Sequence, residues 1–118
     1  MIKVWCPELG QAHYKFCICI CPENEWFFFI NSSPPKFRKA AQAVVEVAAH
    51  EVLPLSNPTS YIDTTSVEAF LDNRVAVALA SGDQYYGPLL LSVRVRIREA
   101  VREHGALNAE KIEAVEAD

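Results

Sequence analysis

At 118 residues the chain has the length of one domain, with four cysteines and a formal net charge of −4. Its composition, 51% hydrophobic and 22% charged, excludes a disordered protein. A chain of this size buries a core without disulfides or metal, so residues 1–118 are expected to form a single domain, strand-rich over 1–63 and helical over 65–118.

The charge is uneven. Residues 1–40 hold Lys3, Lys15, Lys36, Arg38 and Lys39 against three glutamates, for +2, whereas residues 41–80 sum to −4. A basic N-terminal half and an arginine-rich segment at 94–102 could make a local patch for a polyanion on an acidic molecule. Scattered solvated charge accounts for the same counts. The opening Met1–Pro7 contains no long apolar run, which argues against a signal peptide. The apolar stretch Trp26–Ile30, like every other apolar run in the chain, is too short to span a bilayer. A cytoplasmic chain with no membrane partner and four reduced thiols is therefore expected.

The first strong element is His13–Cys21, β-branched and aromatic, and ended by Pro22. Tyr14, Phe16, Ile18 and Ile20 alternate with His13, Lys15, Cys17, Cys19 and Cys21. Neither set is polar beyond Lys15, which predicts a central strand covered on both faces. Pro22–Glu25 reads as a turn and Trp26–Ile30 as the returning strand of a hairpin. Asn31–Pro35 breaks regular structure. The stretch 36–55 is ambiguous: Arg38–Ala43 could begin a helix, but Val44–Val47 and Glu51–Leu53 favour two strands joined near Ala48–His50. Ser60–Asp63 is extended. Thr65 with Glu68 forms a capping-box pattern, which predicts a helix bearing Val67, Phe70, Leu71, Val75, Ala78 and Leu79 on one face and ending at Gly82. Tyr85–Pro88 reads as a loop. Ser92–His104 reads as a second helix despite the strand-like alternation of Val93–Arg98, because Glu99–His104 continues the helical pattern up to Gly105. Asn108 is placed to cap a terminal helix, Ala109–Ala117.

Cys17, Cys19 and Cys21, with Cys6 and His13, invite a zinc reading. Alternate residues of a strand stand roughly 6.5–7 Å apart, too far for one tetrahedral ion. Buried core thiols are the better expectation, with no metal and no cofactor. Of His13, His50 and His104, the first has the strongest position, at the start of the central strand. Lys36, Arg38 and Lys39 follow Pro34-Pro35 as a basic loop suited to a phosphate, and Ser60–Thr65 gathers hydroxyls and a carboxylate. No dinucleotide, phosphate-loop or serine-elbow pattern is present.

Taken in order, Val4-Trp5-Cys6-Pro7-Glu8-Leu9-Gly10, His13-Tyr14, the strand ending at Cys21-Pro22, Ile30-Asn31-Ser32-Ser33, Ser60–Asp63 and the helix to His104 resemble MazF/PemK-type toxins. The resemblance implies an α+β fold: a small SH3-like antiparallel β-barrel with C-terminal helices packed against it, assembled as a homodimer. It implies a metal-independent endoribonuclease acting on single-stranded RNA and restrained by an antitoxin peptide. Under it, His13, Ser32 and Ser33 are the catalytic candidates, and Lys15, Lys36, Arg38, Tyr61 and Asp63 the substrate-binding ones. His13-Tyr14 stands where the family has Arg-Pro, and imidazole lacks the permanent charge and fork of guanidinium. That replacement leaves open a diverged, non-catalytic relative, or a protein- or peptide-binding module on the same barrel.

Overall fold

The computed structural model describes residues 1–6, 13–34, 43–52, 55, 57–70, 73–81, 84–104 and 107–117. Its elements are β1 (Ile2–Cys6), β2 (His13–Cys21), β3 (Trp26–Asn31), β4 (Val44–Ala48), β5 (Thr59–Asp63), the two-residue β6 (Glu68–Ala69), α1 (Arg74–Ala80), α2 (Leu91–His104) and α3 (Ala109–Ala117). The architecture is α+β, with antiparallel strands in the order β1-β2-β3-β5-β4 and β6 beside β3.

The β2–β3 hairpin forms as its alternation requires. Pro22 cannot donate to the ladder, and its carbonyl accepts from Glu25 N–H at 3.3 Å to close the turn. Glu25 takes φ 54°, a left-handed conformation that brings Trp26 into register. Cys19 pairs with Phe27 and Cys21 with Trp26, so one extra residue is bulged out of β2 next to the turn.

The sheet is covered on both faces, as the doubly apolar β2 requires. On one face Ile18, Ile20, Phe28, Ile30, Val45, Val47 and Ile62 pack with Val93, Ile97 and Val101 of α2 and Val115 of α3. On the other, Ile2, Val4, Cys6, Cys17 and Phe27 pack with Phe70 and with Val75 and Ala78 of α1. Cys17 and Cys6 are wholly buried, while Cys19 and Cys21 are half-buried. Among the described residues, no three His, Cys, Asp or Glu side chains gather to hold a metal, and no helix is long and apolar enough to cross a membrane.

Several expectations are corrected. The helix expected from Thr65 begins only at Arg74. Asp63 Oδ1 takes the Thr65 N–H (2.9 Å) and hydroxyl (2.5 Å), which removes the capping box, and Glu68 enters β6 opposite Phe27. β5 pairs β3 only at Ile30 and Asn31, so β6 supplies the partner that Trp26 and Phe27 would otherwise lack. On α1, Val75 and Ala78 are buried but Leu79 is exposed; Leu71 and Gly82 lie outside the described residues. Glu51 and Val52 are turn and bend rather than strand, because the Glu51 carboxylate reaches back to the Ala48 N–H at 2.9 Å. Of the postulated helix start, positions 38–42 lie outside the described residues, and Ala43 is a turn leading into β4.

The sheet is open where the resemblance implied a closed barrel, with no pairing between β1 and β4 among the described residues. Each outer edge is occupied locally. Gln84–Gly87 runs along β1: Lys3 N–H donates to the Gln84 carbonyl (2.8 Å), Tyr86 N–H to the Met1 carbonyl (3.0 Å), and the Met1 ammonium to the Gly87 carbonyl (2.7 Å). Gly87 has φ +78°, which glycine adopts at little cost where the segment leaves the strand edge. On β4, Arg96 of α2 donates to the Glu46 carbonyl at 2.9 Å. The readings of α2, of α3 and of its Asn108 cap, which accepts from Lys111 N–H at 3.0 Å, agree with the structure.

Candidate functional site

Of the sequence-derived candidates, His13, Lys15, Ser32, Ser33 and Tyr61 lie at the end of the sheet where β2 begins and β3 finishes. His13 opens β2 opposite Cys6, and its side chain lies outside the described residues. Ser32 and Ser33 follow β3 and are exposed. Tyr14, Lys15, Asn31, Ser32, Asn57 and Ser60 contribute to a small cavity of about 180 Å³ at this end. Lys36 and Arg38 lie outside the described residues.

Lys15 is placed by strand alternation on the face of Cys17 and Phe29, opposite to that of Tyr14. It donates to Asn31 Oδ1 on the neighbouring strand, and its Nζ stands 5.2 Å from the centre of the Phe29 ring. Burial holds its ammonium below the ordinary lysine range, opposed by the nearby acidic groups, Asp63 and Glu68 among them. Asn31 in turn pairs with Tyr61, which is half-buried. Asp63 is occupied by Thr65, so its carboxylate organises the exit from β5.

The residues missed by the sequence reading are Trp5 and Lys3. The β1–β2 register sets Trp5 opposite Tyr14 and Lys3 opposite Phe16. Trp5 and Tyr14 meet edge-to-face, with ring centres 5.0 Å apart and planes at 62°. They remain 45% and 48% exposed. The Lys3 ammonium lies 5.1 Å from the Tyr14 ring centre, within cation–π range. A cross-strand aromatic pair with an attendant cation thus stands beside a cavity edged by Ser32 and Asn31. Such a surface offers π-faces for stacking, a positive charge, and hydroxyl and amide groups for hydrogen bonds. The missed signal is the alternation of Lys3 and Trp5 with Ile2, Val4 and Cys6. It is legible only once β1 is recognised as a strand.

Compared with known proteins, the chain matches no family model, no curated protein and no solved structure.

Proposed function

We propose that this chain binds single-stranded RNA at the start of β2, on the Trp5–Tyr14 pair, as a relative of the MazF/PemK-type toxins. The observation that supports it is the half-exposed aromatic pair with Lys3 against it, next to Ser32. Single-stranded nucleic acid is held sequence-tolerantly by aromatic stacking and a local cation, and stacking does not require a basic protein overall. In this reading the Ser32 and Ser33 hydroxyls donate to a phosphate oxygen. His13 is the group able to accept or donate a proton near neutral pH, and chemistry at the phosphate would run through it without a metal. A homodimeric assembly and control by an antitoxin peptide belong to the same proposal.

The test is fluorescence anisotropy of a labelled single-stranded RNA dodecamer at low salt with EDTA, followed by gel analysis of the same samples. Wild-type protein is expected to bind. Trp5→Ala and Tyr14→Ala should each weaken binding by about 1–3 kcal/mol. Cleavage, where the gel shows it, should disappear in His13→Ala with Ser32→Ala. Binding without cleavage assigns a non-catalytic RNA module. Absence of binding, or affinity indifferent to Trp5 and Tyr14, removes RNA as the ligand and leaves the peptide-binding alternative.

A further inference from the structure

A second cavity, of about 360 Å³, lies elsewhere in the molecule. Ile18 and Ile20 of β2, Leu89, Ile97 of α2 and Val115 of α3 give it an apolar lining, and Arg94 and Arg98 enter it from α2. The volume falls near the lower end of the ~300–1,000 Å³ range typical of small-molecule sites.

The arginines of α2 divide into two pairs. Arg96 is neutralised by Glu51 at 2.5 Å and Arg102 by Glu116 at 2.7 Å. Arg94 and Arg98, one helical turn apart and so on one face, have no carboxylate partner among the described residues. Arg94 Nε is shut off from solvent with no hydrogen-bond acceptor. Arg94 as a whole is half-buried, as is Arg98. The planar fork of arginine matches the two oxygens of a carboxylate or a phosphate.

We propose that this cavity binds a small amphiphilic anion, its carboxylate or phosphate head on Arg94 and Arg98 and its hydrocarbon body against Ile18, Ile20, Ile97 and Val115. The site is separate from the Trp5–Tyr14 surface and does not rest on the RNA reading. A bound head group would pair with the guanidinium groups of Arg94 and Arg98, and the tail would displace water from apolar walls.

Isothermal titration of the full chain with octanoate, octyl phosphate and 1-octanol tests this. At least one of the two anions should bind at least tenfold more tightly than octanol, and the preference between the anions identifies the head group. Arg94→Gln should remove that advantage while leaving octanol binding unchanged. Arg98→Gln, on a half-exposed residue, serves as the second variant should Arg94→Gln unfold, as judged by circular dichroism. Ile97→Trp, which fills the cavity, should weaken all three ligands without altering RNA affinity. Octanol binding as tightly as both anions, failure of folded wild-type protein to bind any of the three, or an anion preference surviving in folded Arg94→Gln or, where that variant unfolds, in Arg98→Gln would each overturn the proposal.

Discussion

Cys17 shows how one side chain can look chemical in sequence and be structural in space. Its thiol is wholly buried between β1 and β3, where Sγ donates to the Lys15 carbonyl at 3.6 Å. Burial, reinforced by neighbouring Cys6, pushes its pKa from 9.0 up to about 12. Thiolate is the reactive species, so Cys17 is protected twice, by access and by ionisation. Cys21 is half-buried and accepts from Asn24 Nδ2 at 3.4 Å at the open end of the hairpin. Native protein treated with iodoacetamide at pH 8 should therefore be alkylated at Cys21 well before Cys17 or Cys6, with all four sites reacting in urea. Peptide mass spectrometry reads the order, and equal rates at Cys17 and Cys21 would contradict this packing. The expectation of three core cysteines thus holds fully for Cys17 and only partly for Cys19 and Cys21.

At the scale of elements, what was legible in the sequence was what is local and strongly patterned. The β2–β3 hairpin is specified by a nine-residue alternation, a proline stop and an aromatic return, all within one stretch of chain. α2 and α3 are specified by helical spacing and by Asn108. The capping box failed because a nearer competitor exists: Asp63 reaches the Thr65 N–H that a helix would have needed. The unpaired edge of Trp26 and Phe27 then claims Glu68 and Ala69, a demand that no local pattern reveals. The same holds for the site. His13, Lys15 and Ser32 were found because they flank obvious strands, whereas Trp5 and Lys3 depend on a cross-strand register. Asp63→Ala, by releasing both Thr65 bonds, should destabilise the protein by about 1–3 kcal/mol in urea titrations. Glu51 makes a comparable local tie. The Ala48 N–H, with Arg96 beyond it, holds its carboxyl below 4.5. A depressed carboxylate contributes stability above its unfolded pKa and loses it as pH falls through the folded one. Stability of wild type should thus decline more steeply below pH 4.5 than that of Glu51→Gln, as followed by urea midpoints.

For the whole molecule, a sheet packed on both faces means that a titration within one core acts on the global equilibrium. Cys17 and Lys15 are neighbours on one face, and their shifts oppose each other. The unfolded thiol ionises near 9.0 and the folded one near 12, so between these values the native state keeps a proton that the unfolded chain has lost. Stability must fall across that window, by at most about 4 kcal/mol at roughly 1.4 kcal/mol per pH unit. The lowered Lys15 ammonium acts in reverse. Approaching 10.5 from below, the unfolded chain holds a proton that the native state has released, and stability rises with pH. The Lys15 gain is complete by about 10.5, whereas the Cys17 loss continues to about 12. The Cys17 loss therefore begins near pH 9.0, is opposed by Lys15 up to about 10.5 and runs unopposed by it from there to about 12. In Cys17→Ala, stability at pH 7 should be lower, because buried volume is lost. Its alkaline arm should nevertheless be flatter, since the Cys17 thiol has gone. Urea titrations at pH 7, 9, 10.5 and 11.5 measure both curves. Parallel alkaline arms would place Cys17 in contact with water and refute the two-faced packing from which its shift arises.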